Sequence, residues 1–144
     1  MKKVEFGKKA RTKLVEGIDI LADAVVSTLG PNGRNVFIQK GIVEPPQSTK
    51  DGVTVARSIV LKDPELEMGV QAMKYAAIKT ADKAGDGTTT STLLAREMVH
   101  AGLEGLNNGE NAVKIKRDID KSVKQVVSKL KDIAEDISDE SHAI

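Results

Sequence analysis

The chain has no cysteine and no tryptophan, and only two Phe and one Tyr among 144 residues. Without cysteine there is no disulfide framework, no thiolate nucleophile and no zinc–thiolate site. With Tyr75 the single tyrosine, aromatic platforms for stacking single-stranded nucleic acid are scarce. An excess of one charge is missing too. Lys plus Arg number 22 against 21 for Asp plus Glu, a net charge of +1. Nothing electrostatic therefore points to nucleic acid or to an anionic membrane as partner. No apolar run approaches a membrane span, and the charged N-terminus does not read as a signal peptide. A soluble, cytoplasmic protein is the expectation. What is present is 40% apolar residues, enough for one ordinary domain with a core of Val, Ile, Leu, Ala and Met.

Helical periodicity dominates the pattern. Val4 and Phe6 alternate with charge, a short strand-like start that Gly7 ends. Ala10, Leu14, Ile18, Leu21, Val25 and Leu29 then recur at spacings of three and four, which predicts an amphipathic helix. Gly30-Pro31-Asn32-Gly33 stops it. Val36, Phe37 and Ile38 open a strand–loop–strand hairpin over residues 35–50. The segment after Asp51 reads equally as a strand or as a short capped helix. Asp63-Pro64 starts a helix with the stripe Leu66, Val70, Met73, Ala77 and Ala81. A further helix begins near Thr88, with Leu94, Met98, Leu103 and Leu106 as its apolar positions and Val99 beside them. Met68, Met73 and Met98 read as core filler. In the last long helix Ile115, Ile119, Val123, Val126, Leu130, Ile133 and Ile137 form a sustained stripe, which favours a bundle helix over a lone coiled coil. The pattern predicts a mainly α fold, a helical bundle with a small β-hairpin. A new helix is announced at residues 138–141 just before the chain stops, which suggests truncation.

The run Gly85-Asp86-Gly87-Thr88-Thr89-Thr90 carries the most chemistry. Its glycines allow a tight turn and close approach of a ligand. The amides that open a helix, with its dipole, favour an anion. Asp86 would repel a bare phosphate, so the run suggests phosphate together with Mg²⁺. A plain helix start, with Asp or Thr as N-cap, competes on even terms for this run taken alone. Two more clusters suit the same ligand: the turn Thr28-Leu29-Gly30-Pro31 and the tripeptide Lys50-Asp51-Gly52. Phosphoryl chemistry needs a cation, carboxylates to hold it and donors for phosphate oxygens. Asp86 and Asp51 supply carboxylates, Lys50 a positive charge, and Thr88, Thr89 and Thr90 hydroxyl and N–H donors. No Gly-Lys-Ser/Thr follows a Gly-rich loop, so this is not a P-loop. His100 and His142 lack ligand-spaced partners, and Lys8, Lys9, Arg11 and Lys13 read as a solvated helix face.

In order and nearly in spacing, residues 28–36, 49–56 and 84–90 resemble the N-terminal equatorial segment of group I chaperonins, the GroEL type. Residues 4–7, 10–11 and 21–25 agree, as do Lys116, Arg117, Ile119, Asp120 and Val123. The resemblance spans essentially the whole chain. It implies a partial equatorial domain over residues 1–137, followed at 138–144 by the start of an intermediate domain. It favours the short helix after Asp51. It also implies ATP and Mg²⁺ as cofactors. Thr28, Leu29, Gly30 and Pro31 would contact the nucleotide, and Lys50 would lie near the phosphates. Asp86 would ligate the metal, Gly87, Thr88, Thr89 and Thr90 would cradle phosphate, and Asp51 would take a catalytic part by orienting water or metal. In the family the hairpin and N-terminal strand pair with a neighbouring subunit in a ring, so the expected partners are this chain itself or other chaperonin subunits. Client proteins and co-chaperonin belong to the full-length family, whose main catalytic aspartate and apical domain lie downstream of this segment. Ala112 stands where Pro is usual and Asp118 where Gly is usual. The loop over residues 41–48 is longer than usual and lacks the usual aromatic. The function expected is a fragment of an ATP-dependent folding chaperonin that does not fold clients alone. The alternative is a small self-associating or chaperonin-associating protein without nucleotide function.

Overall fold

The computed structural model describes residues 4–135. In chain order these form α1 (Gly7–Val26), β1 (Val36–Ile38), β2 (Gln47–Thr49), α2 (Gly52–Ser58), α3 (Pro64–Ala84), α4 (Thr88–Asn107) and α5 (Ala112–Ile133). The expected mainly α fold with one hairpin is what forms. The chain divides into two compact units, Met1–His100 and Ala101–Ile144. Ile137 and the expected helix start at 138–141 lie outside the described residues.

The first unit is built on the crossing of α1 and α3. Ile18, Leu21 and Val25 of α1 meet Val70, Met73 and Ala77 of α3, and Val55 and Ala56 of α2 close the cluster. The helices approach closely because each has a glycine at the crossing. A Cβ built on Gly17 would overlap the Leu66 carbonyl oxygen, and one on Gly69 the Leu14 carbonyl oxygen. Asp63 caps α3 as expected, accepting from Glu65 N–H at 2.9 Å with Pro64 in the first turn. The segment after Asp51 is the short helix α2, not a strand. Buried Lys74 donates to the Arg57 carbonyl near the end of that helix, at 3.4 Å. The hairpin pairs antiparallel, Val36 with Thr49 and Ile38 with Gln47.

Four expectations are corrected. Residues 4–6 form no strand, since the sheet among the described residues consists of β1 and β2 alone. Helix α1 ends at Val26, a turn earlier than the stripe suggested. There the Ser27 and Thr28 hydroxyls donate to the Ala24 and Val25 carbonyls, both at 2.7 Å, a local competition that ends helices. Leu29 consequently lies outside the helix and exposed. In α4 the inward face is Thr88, Thr92, Ala95 and Val99, whereas Leu94 and Met98 face outward. Met68 is also exposed, so only Met73 of the three methionines fills core.

The second unit holds the end of α4 and all of α5. Asn111 caps α5, accepting from Val113 and Lys114 N–H at 2.8 and 3.3 Å. Gly105 lets Ile115 come close to α4, since a Cβ there would sit 3.0 Å from the Ile115 side chain. Beyond Ile119 the stripe of α5 loses its cover. Val123, Val126, Leu130 and Ile133 are exposed, and no residue of α5 is buried. Bundle packing therefore reaches only the first turns of α5 among the described residues.

Candidate phosphate site

The site forms where α3 hands over to α4. Gly85 is left-handed at φ 74° and donates its N–H to Ala81 O at 2.8 Å, closing α3. Gly87 is left-handed at φ 81° and its carbonyl accepts from Ser91 N–H at 2.9 Å, opening α4. A side chain at either position would strain the backbone. Asp86 is thus held between two turns that only glycine makes easily. Its Oδ1 accepts from Gly87 N–H at 2.6 Å, not from a first-turn amide of α4. Gly87 has no side chain with which to cap those amides, and the first turn of a helix has no intrahelical acceptor for them. The plain N-cap reading of this run is therefore not what the turn builds.

These residues form one wall of a surface cleft of about 380 Å³. The opposite walls come from the end of α1, with Thr28, Leu29 and Gly30, and from the entry to α2, with Lys50, Asp51, Gly52 and Val53. The walls nearly touch at their base. Thr28 Oγ1 lies 3.4 Å from Thr89 Oγ1, and a Cβ built on Gly52 would come within 2.5 Å of Thr89 Oγ1. Thr88 is buried, and its carbonyl accepts from the Ser91 and Thr92 hydroxyls at 2.9 and 2.8 Å. The first turn of α4 is therefore stiffened by its own side chains.

Asp51 is set differently from Asp86. It caps α2, accepting from Thr54 N–H at 3.0 Å and from the Thr54 hydroxyl, while its own N–H donates to Thr49 Oγ1 at 3.0 Å. The hydroxyl bond from Thr54 is the main cause that holds its carboxyl below the ordinary value, with slight burial opposing and the amides of Thr54 and Val53 and the charge of Arg57 assisting. It is an anion near neutral pH, suited to orienting a water or cation rather than to accepting a proton. Every donor atom offered by the cleft side chains other than Lys50 is a hard oxygen. Among the described residues no group of three or more His, Cys, Asp or Glu could hold a metal alone. That set fits Mg²⁺, which takes one or two carboxylates and completes its shell with phosphate oxygens and water.

The model of the TCP-1/cpn60 chaperonin family matches residues 21–144. The chain belongs to this family. It is 50% identical over 133 residues to the chaperonin GroEL of Carsonella ruddii (strain PV), an overlap of 92% of this chain and 25% of that protein. Among solved structures it is similar to the chaperonin gp146 from the bacteriophage EL 2 (Pseudomonas aeruginosa), crystallised in the presence of ATP-BeFx in two forms. The TM-scores are 0.76 and 0.75, at 35% identity over 91% of this chain and 22% and 23% of that one. The chain thus spans about a quarter of the length of the chaperonins it matches.

The expected site residues of this chaperonin segment come together with one exception. Thr28, Leu29, Gly30, Lys50, Asp51, Asp86, Gly87, Thr88, Thr89 and Thr90 all line the cleft, whereas Pro31 lies in the adjoining turn and does not. Sequence reasoning placed Gly52 in the Lys50-Asp51-Gly52 cluster without a role of its own, and it missed Val53 and Ala81. The signal for Gly52 was its place directly after Asp51, where a helix must start against another backbone. Ala81 gave no signal beyond being small and one turn before Gly85. A larger groove of about 600 Å³ lies elsewhere, between residues 4–14 and the start of α3. Its walls are mainly apolar, with Val4, Ala10, Leu14, Pro64 and Met68, and it brings together none of the phosphate-type groups.

Proposed function

We propose that this chain binds the polyphosphate of ATP with Mg²⁺ in the α3–α4 cleft, as the N-terminal part of a chaperonin equatorial domain. The observation that carries the reading is Asp86 between two left-handed glycines at the mouth of α4, facing Lys50 and Asp51 across one cleft. Thr88, Thr89, Thr90 and Gly87 would receive phosphate oxygens, Lys50 would offset their charge, and Asp86 would hold the metal. Thr28, Leu29 and Gly30, with Pro31 behind them, would contact the rest of the nucleotide. Mg²⁺, when bound, supplies charge neutralisation between phosphate oxygens and carboxylate. Asp51 would orient a water or the metal from its fixed place at the start of α2. In this reading the protein is a cytoplasmic one that associates with chaperonin subunits in a ring, and client proteins and a co-chaperonin are partners of the longer protein. A chain of this length binds nucleotide weakly and neither refolds clients nor turns over ATP at an appreciable rate by itself. Calorimetry with Mg·ATP tests this. Binding that needs Mg²⁺ and is lost in Asp86→Ala supports the reading, and binding indifferent to both overturns it.

The exposed stripe of α5 favours a second reading, in which the chain acts mainly through self-association or by docking on a chaperonin. A monodisperse monomer by light scattering that binds no hydrophobic dye would contradict it.

A further inference from the structure

Helix α1 and the turn that follows it are joined to α4 by a ladder of side chains that leads to the cleft. His100 Nε2 meets Asp19 Oδ1 at 2.7 Å, Arg96 meets Asp23 Oδ1 at 2.6 Å, and Thr89 Oγ1 meets Thr28 Oγ1 at 3.4 Å. Residue numbers rise along α1 as they fall along α4, so the rungs define an antiparallel pair. The lowest rung is the base of the phosphate cleft itself. The close helix crossings of this unit are among α1, α2 and α3, and α4 brings Ala95 and Val99 against their core. The Arg96 side chain is 19% exposed and that of Asp23 73%, and the guanidinium forks, with Nη1 on Asp23 and Nε on Glu97 Oε1 at 3.0 Å. A planar fork held on two carboxylates fixes direction as well as distance, which a lysine ammonium does not.

We propose that Arg96, anchored on Asp23, is a positioning residue for the cleft: it sets the first turn of α4 at the distance from the end of α1 that a bound phosphate requires. The proposal rests on the phosphate reading given above, and neither Arg96 nor Asp23 is among the residues placed against phosphate there. An Arg96 that acted only as a surface ion pair would leave the cleft unchanged, because such pairs contribute little and act locally.

The test uses the full chain with Arg96→Met, Arg96→Lys and the exchange Asp23→Arg with Arg96→Asp. One readout is amide hydrogen exchange at residues 91–95, the first amides of α4 with a backbone acceptor, relative to α3, which needs no nucleotide. The other is affinity for Mg·ATP. Arg96→Met should speed exchange at 91–95 by roughly tenfold, leave α3 unchanged, and weaken Mg·ATP by a similar factor through the loss of a charge-assisted contact. Arg96→Lys should restore only part of both, and the exchange variant most of both. Unchanged exchange at 91–95 in Arg96→Met overturns the proposal, as does weaker binding with equal loosening of α3. If the wild-type chain binds no Mg·ATP while exchange still responds, the phosphate reading fails and the positioning role of Arg96 toward the α4 turn stands.

Discussion

Asp51 and Asp86 are similar carboxylates set to different tasks by their neighbours. Asp51 spends its carboxylate on Thr54 and the start of α2, while Asp86 is held by one amide between two glycines. Asp51→Ala removes a cap and should cost about 1 kcal/mol of stability, measured by urea unfolding at neutral pH. Because the folded-state carboxyl lies below its ordinary 3.8, this contribution is complete above that value and is lost as pH falls through the lowered one. The gap between wild type and variant should therefore close in acid. A gap that widens in acid would mean that the carboxyl is raised instead. Gly52→Ala tests the narrow base of the cleft, since its methyl would displace Thr89. Phosphate affinity should fall by roughly tenfold, about 1.4 kcal/mol, with Tm little changed. The chemistry at this scale was legible in the sequence, since Gly-Asp-Gly-Thr-Thr-Thr and Lys-Asp-Gly name their own atoms. The Thr28–Thr89 contact and the close packing of Gly52 on Thr89, which leaves no room for a Cβ, were not, because they join residues distant along the chain.

Elements that end in recognisable chemistry were read well and elements that pack were read less well. Asp63-Pro64 and Gly85 marked both ends of α3, because caps act locally. The inward face of α4 was misread for a physical reason. Its buried positions include Thr88 and Thr92, the Thr92 hydroxyl being satisfied by the Thr88 carbonyl, and a hydropathy stripe passes over such residues. The crossing of α1 and α3 was invisible as well, since Gly17 and Gly69 leave no apolar signal. Gly17→Ala should therefore destabilise more than a surface helix site, by about 2 kcal/mol, because its methyl meets the Leu66 backbone carbonyl rather than a movable side chain. Thermal unfolding followed by circular dichroism checks this. A Tm equal to or above wild type, as helix propensity alone would give, would contradict the close crossing.

For the molecule as a whole, family and fold followed from three short motifs in order, while surface character followed from packing that a stripe alone does not reveal. The stripe of α5 predicted burial in a bundle, yet Val123, Val126, Leu130 and Ile133 stay exposed, as do Ile42 and Val43 beyond β1. Exposed apolar area of this kind drives association. Apparent mass by light scattering should rise with concentration, and Val126→Glu with Leu130→Glu should reduce it without loss of helix content. The balanced charge of +1 offers little repulsion against such association.

The central claim is that one cleft, built around Asp86, binds the polyphosphate of Mg·ATP. Amide NMR of the ¹⁵N-labelled chain during titration with Mg·ATP tests it most directly. The account predicts saturable shifts at Gly30, Gly52, Gly87, Thr88 and Thr89 that need Mg²⁺ and vanish in Asp86→Ala. Shifts confined to the apolar groove around Leu14 and Met68, or none at these amides, would contradict it.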